Sequence, residues 1–183
     1  MSKDNTPQSA VLGASGEYLV LSHLLRLNFV AGKAPENTKD YDLIVLNKDG
    51  TSSSPIQVKT TFKKDAWILN KKHEEPIKNL VFCFVYISKD SDKSEIFVID
   101  SKTVSNFIKT GHKIWLKLPG LKGQKHNDSM MRQLTRDPFK NVARKTKNYK
   151  EYLTKEEIKF LEEYSSGWMD KYKNAWNFIG NTN

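Results

Sequence analysis

Residues 79–88 read "NLVFCFVYIS", and from Leu80 to Ile87 no side chain is charged or carries an amide or aliphatic hydroxyl. The run is far too short to span a bilayer, which needs about 20 apolar residues. It is rich in β-branched and aromatic residues and apolar on both alternating faces, the mark of a strand covered on each side. A chain holding such a strand must place it centrally in a sheet and supply cover for two faces. Cys83 lies inside this run, so it reads as a buried thiol. A single cysteine forms no internal disulfide, and a reducing, cytoplasmic setting is expected. The first ten residues lack the basic-then-apolar pattern of a secretory signal.

The cover comes from segments of helical period. In "SAVLGASGEYLVLSHLLRLN", Val11, Ala14, Tyr18, Leu21 and Leu25 recur at threes and fours, with Asn28 as a stop. "FVAGKAP" reads as a short strand ended by Pro35. "YDLIVLN" and "PIQVKTTF" read as a β-hairpin around a polar loop, "AWILN" as a continuation of the sheet, and "SEIFVID" as a further strand. "SKTVSNFIKTGHKIWLKL" begins as a helix with Val104, Phe107 and Ile108 on one side and Ser101 as a cap. Residues 119–150 read as loop and short helix. "TKEEIKFLEEYSSGWMDKYKNAWNFIG" opens with a capping box, Thr154 and Glu157. Ile158, Leu161, Tyr164, Trp168, Tyr172 and Trp176 then form an aromatic helical stripe that suits core packing or dimerisation. The order of elements implies an α/β or α+β fold with a mixed sheet flanked by helices.

At 183 residues the chain is long enough for one real core, and its 38% hydrophobic content excludes wholesale disorder. Thirty Lys and Arg against 21 Asp and Glu give a net charge of +9, which favours polyanionic partners. His23, His73, His112 and His126 have no zinc-site spacing, and no P-loop or dinucleotide-binding glycine pattern is present.

The chemistry concentrates in the hairpin. Alternation sends Gln57, Lys59 and Thr61 to one face of their strand and Ile56, Val58 and Thr60 to the other. With Val58 turned to the core, Gln57 and Lys59 look outward, and Asp42 lies beside them if the register is right. Asp42, the Gln57 amide oxygen and the Val58 carbonyl are oxygen donors suited to a hard divalent cation. Lys59 can then orient a water or stabilise charge on a phosphate. Lys63 and Lys64 follow the strand and are placed to touch a nucleic-acid phosphate backbone if the polyanionic partner is one, with Thr61 as a further phosphate contact. The basic run "KNVARKTKNYK" is either a second place for such contact or a solvated surface.

A helix carrying Glu17, then "DLIV", a turn and "QVK", resembles the PD-(D/E)xK nuclease superfamily, closest to Holliday-junction-resolvase-like and Mrr-like members. The resemblance covers residues 10–100 and implies a restriction-endonuclease-like mixed sheet and magnesium- or manganese-dependent cleavage of DNA. It assigns Asp42 as the metal-binding aspartate, Gln57 as the variable acidic position, Lys59 as the catalytic lysine and Glu17 as an added metal ligand. Tyr41 stands where the motif has proline, and Gln57 where it has an acid. The expected organisation is a nuclease-like core over 1–125, with a basic loop region and an aromatic helix over 126–183 packed on it. DNA and a second copy of the chain are the expected partners, with no membrane and no small-molecule cofactor. The competing expectation is a nuclease fold without activity, serving to bind nucleic acid or protein.

Overall fold

Burial of Val81–Tyr86 on both faces organises the larger sheet in the computed structural model, which describes residues 8–36, 38–46, 50–90, 93–146 and 148–179. The elements run α1 (Ser9–Arg26), β1 (Val30–Lys33), β2 (Leu43–Leu46), β3 (Ser53–Thr61), β4 (Ala66–Asn70), β5 (Val81–Tyr86) and β6 (Glu95–Asp100). They continue with α2 (Ser101–Lys117), β7 (Met131–Thr135), α3 (Pro138–Lys145) and α4 (Lys155–Glu163). The chain forms two compact units. One holds residues 1–64, 77–101 and 172–183, and the other 65–76 and 102–171. The boundary expected near residue 125 falls inside the second stretch of the latter.

The first unit is a mixed five-stranded sheet in the order β1-β2-β3-β5-β6. β5 pairs parallel with β3, Val58 opposite Cys83, and antiparallel with β6, Cys83 opposite Val98. Ile56, Val58, Cys83, Val85 and Val98 form one apolar face under Val20 and Leu24 of α1. On the opposite face Phe82, Phe84, Phe97 and Ile99 are equally buried, as a strand apolar on both sides requires. The chain's last described residues return to this unit. Asn174 N–H donates to the Ile96 carbonyl at 3.0 Å, Trp176 stacks on His23 at 5.9 Å, and Ile179 enters the core.

The helix α1 uses a different face from the one its periodicity selected. Val11, Tyr18 and Leu25 are more than half exposed, at 59%, 59% and 51%, while Gly16, Val20 and Leu24 are buried. Apolar residues surround α1 on nearly every side, so period alone does not choose a face. Steric fit does. A Cβ on Gly16 would lie 2.0 Å from Thr60 Oγ1 of β3, whereas one on Gly13 meets nothing within 4 Å. Only glycine at 16 lets helix and strand approach this closely.

The second unit contains the two-stranded antiparallel sheet of β4 and β7, with Trp67 opposite Leu134. β4 therefore does not continue the larger sheet. Its alternation marks a half-buried strand, but a strand pattern does not name its partner. β7, expected as loop, alternates in burial with Arg132, Leu134 and Thr135 inside. Around Phe107 of α2 gather Trp168 at 4.8 Å, Tyr164 at 5.1 Å and Phe160 at 5.8 Å. Trp168 Nε1–H donates to the Thr135 carbonyl at 3.0 Å, which satisfies the one polar atom of a buried indole.

The capping box at the start of α4 is present, each partner accepting from the other's N–H, and Glu157 also takes Lys117 Nζ at 2.7 Å. The aromatic stripe is buried as expected at Leu161, Tyr164, Trp168 and Tyr172, but it is not one helix. α4 ends at Glu163, Gly167 adopts φ +87°, and short 3-10 turns carry the rest. Serine pairs followed by glycine end helices through their backbone freedom. Ser101 Oγ accepts from the Ile77 N–H at 2.9 Å. The hairpin loop 47–49, part of the loop at 91–92 and the side chains at 141, 143–145 and 147 of the basic run lie outside the described residues.

The two helix glycines give opposite expectations in chemical denaturation. Gly16→Ala should cost roughly 1–3 kcal/mol by overpacking against Thr60. Gly13→Ala should add about 0.5–1 kcal/mol through helix propensity. Equal effects at both positions would refute the steric account of the α1 face.

Candidate functional site

The β2–β3 pairing carries its last full rung at Leu43 and Ile56, and Asp42 is the next residue out. Its backbone stays tied on both sides: its N–H donates to the Ile56 carbonyl at 2.8 Å, and its carbonyl accepts from Ala34 N–H at 2.9 Å. Its side chain takes over where the ladder ends. Val58 N–H donates to Asp42 Oδ2 at 2.7 Å. The carboxylate thus caps an open backbone donor of β3, a short charge-assisted bond, and is held at the fork between the strands.

Glu17 reaches the same place from α1. Its carboxylate accepts from Lys33 Nζ at 2.8 Å, and Lys33, the last residue of β1, also lies 4.9 Å from the centre of the Tyr18 ring. Burial raises the Asp42 pKa, and the Glu17 negative charge raises it further. The Val58 N–H and the positive charges of Lys59 and Lys33 act the other way. The Lys33 pKa is raised, chiefly by its hydrogen bond to Glu17. Two acids and two lysines, from α1, β1, β3 and the residue just before β2, therefore share one electrostatic neighbourhood.

The remaining expected site residues are placed as follows. Val58 points into the core at 7% exposure, as the alternation requires, and Lys59 is half-buried on the other face. Gln57 shares that face but is buried rather than turned outward, also at 7% exposure. On its β5 side the strand faces buried residues, since Gln57 lies opposite Phe82 and Lys59 opposite Phe84. Gln57 Oε1 is a buried acceptor with no hydrogen-bond donor among the described residues. Such an atom normally finds a partner. Thr61 Oγ1 accepts from Lys63 N–H and closes the turn after β3, both its contacts being with Lys63 at 3.1 Å. It serves the turn, while Lys63 and Lys64 are exposed. Cys83 is buried with its thiol pKa pushed up by burial, which removes it as a nucleophile.

A hard cation needs oxygen donors, and magnesium characteristically takes one or two carboxylates and keeps water or phosphate for its other positions. Among the described residues no three His, Cys, Asp or Glu side chains gather at one point. A cation here would draw on Asp42, Glu17 and the orphan Oε1 of Gln57. These donor types fit. Lys33 is the residue that sequence reasoning missed. Its signal is positional only: it follows from the β1–β2 register, Lys33 opposite Leu43, which alternation does not fix.

The Asp42 shift has a definite consequence for stability. A carboxyl whose folded pKa lies above its unfolded value holds its proton more readily in the folded state. The ionised form then costs stability in full above the folded pKa, and the cost vanishes below the ordinary value of 3.8. Asp42→Asn keeps an acceptor for the Val58 N–H and removes the buried charge. In EDTA it should raise the denaturation midpoint at pH 7, with a gain that shrinks as pH approaches 4. A loss of stability at pH 7 would overturn this assignment of the electrostatics. Activity requiring ionised Asp42 should fall on its acid side at a pH above the ordinary aspartate value of 3.8.

The fold class is mixed α and β, and among the described residues no helix is long and apolar enough to cross a membrane. The chain matches no model of a known protein family and no curated protein.

Proposed function

We propose that the protein is a metal-dependent DNA endonuclease of restriction-endonuclease-like fold, with its active site at the β2–β3 fork. The observation that carries this reading is the meeting of Glu17, Asp42 and Lys59 in one electrostatic neighbourhood, the three charged positions of the resembled motif. The buried Gln57 Oε1 without a donor supports it, because a cation would satisfy that atom. A bound magnesium ion would supply Lewis-acid activation of water and of the scissile phosphate.

The chain's own contributions follow from position. Val58 N–H fixes the Asp42 carboxylate, so that it is presented without reorganisation. Lys59, half-buried on β3, holds a cation beside it for charge developing on a phosphate oxygen. Lys63 and Lys64 lie exposed just past the strand, where they can steady a DNA backbone. Lys33 engages Glu17 through Oε2, so its positive charge beside the carboxylate opposes a metal there.

A second reading has its own support. Gln57 brings no charge, and Lys33 already neutralises Glu17 at 2.8 Å. Both favour a nuclease-like fold that binds DNA without cutting it.

Incubation of supercoiled plasmid and oligonucleotide duplexes with magnesium or manganese separates the two. The nuclease reading expects cation-dependent nicking, reduced on the order of 10²-fold or more by Lys59→Ala and by Asp42→Asn. Binding without cleavage across metals and DNA structures would establish the binding module. Lys33→Gln should tighten manganese binding, measured calorimetrically, by up to about fivefold, the scale of an exposed ion pair. Unchanged affinity would count against a cation beside the Glu17–Lys33 pair.

A further inference from the structure

Residues 101–127 contain six lysines and no aspartate or glutamate. Lys109 and Lys117 are engaged by Glu75 and Glu157, at 2.8 and 2.7 Å. Lys113, Lys122 and Lys125 are exposed. Aromatic rings are interleaved with them. Trp115, 39% exposed, stacks on His112 at 5.2 Å and on His126 at 3.9 Å, both near-parallel. This trio borders a cavity of about 380 Å³ within the second unit, whose walls include Leu118, Leu121 and Gln133.

The surroundings hold the rings in place. His112 Nε2 is 2.8 Å from Asp128 Oδ1, and Asp128 also takes Lys71 Nζ at 2.8 Å and Arg132 at 3.2 Å. Arg132, almost wholly buried, is further fixed by Glu74 and by the Ser129 and Met131 carbonyls. The loop carrying Lys122, Lys125 and His126 folds back through a Gly120 N–H to Gln124 carbonyl bond of 2.8 Å, with Gly123 at φ +76°. The result is a partly exposed, preorganised aromatic stack beside a largely apolar hollow, with exposed Lys113 on the same helix as Trp115 and exposed Lys122 and Lys125 on the loop that carries His126.

That chemistry fits one partner. Bases of a single strand present flat π-faces, and its phosphates present one charge per nucleotide, whereas a duplex hides its base faces. We propose that this face is a single-stranded nucleic-acid site, in which an unpaired base extends the Trp115–His126 stack and Lys113, Lys122 and Lys125 receive the flanking phosphates. The site is separate from the hydrolysis proposed at Asp42 and Lys59 and does not require it.

The test is fluorescence anisotropy in EDTA, where cleavage is silent, with the full-length protein. The probes are a labelled 12-nucleotide oligothymidylate, an abasic phosphodiester strand of equal length, and a duplex. Stacking of about 1–3 kcal/mol per base predicts that the base-bearing strand binds about 5- to 150-fold more tightly than the abasic one. Trp115→Ala should erase that preference, and Trp115→Phe should retain part of it. Lys122→Glu with Lys125→Glu should weaken both strands alike. Equal binding of oligothymidylate and abasic strand overturns the proposal, as does an undiminished preference in Trp115→Ala or a Trp115→Ala loss as large for the duplex as for the single strand. If Trp115→Ala does not fold, Trp115→Phe and His126→Ala carry the same comparison, and a full preference in both is equally fatal. Because the assay needs neither metal nor Lys59, its failure leaves the nuclease reading standing, and failure to cleave leaves this site standing.

Discussion

The contact between Gly16 and Thr60 sets the position of everything chemically interesting in the first unit. With no Cβ at 16, α1 settles onto β3 by its Gly16–Val20–Leu24 face. A larger residue would collide with the Thr60 side chain, so that side chain must turn or the helix must shift. Glu17 is the next residue along, so the rotation that buries Gly16 also delivers its carboxylate to Lys33 and into the field of Asp42. A packing constraint thus fixes an electrostatic one.

The fork at Asp42 shows how stability and chemistry oppose each other. Burial and the Glu17 charge both disfavour the ionised carboxylate, while a single backbone N–H and two lysines favour it. Packing alone would place a neutral side chain there. A carboxylate held against its own desolvation is the arrangement expected where charge is needed for ligand binding rather than for folding. Gln57 shows the same tension: its buried acceptor lacks a donor among the described residues, although it lies opposite the apolar Phe82 of β5.

The second unit divides its polar work differently. Arg132 is almost fully buried, yet Glu74, Asp128 and two carbonyls meet its donors, so the charge stiffens one wall of the cavity. Breaking such a network leaves a buried charge uncompensated, at a cost of about 3–5 kcal/mol. This places the Trp115 stack on a fixed frame, while Lys113, Lys122 and Lys125 remain exposed.

Local pattern determined the elements themselves. The doubly apolar run of β5, the strand alternation of β3 that puts Gln57 and Lys59 on one face, and the Thr154–Glu157 capping box are all properties of near neighbours in the chain. The same is true of the identity of Asp42, Lys59 and Glu17 as residues worth watching. Tertiary structure decided what met what: which face of α1 is inward, that β4 pairs with β7, that the helix of the aromatic stripe ends at Glu163, that Gln57 is buried, and that Lys33 joins Glu17. The physical reason is common to these cases. Periodicity reports how a segment divides between two environments. Register, partner and depth come from steric fit and charge between segments far apart in sequence, and no local repeat encodes those.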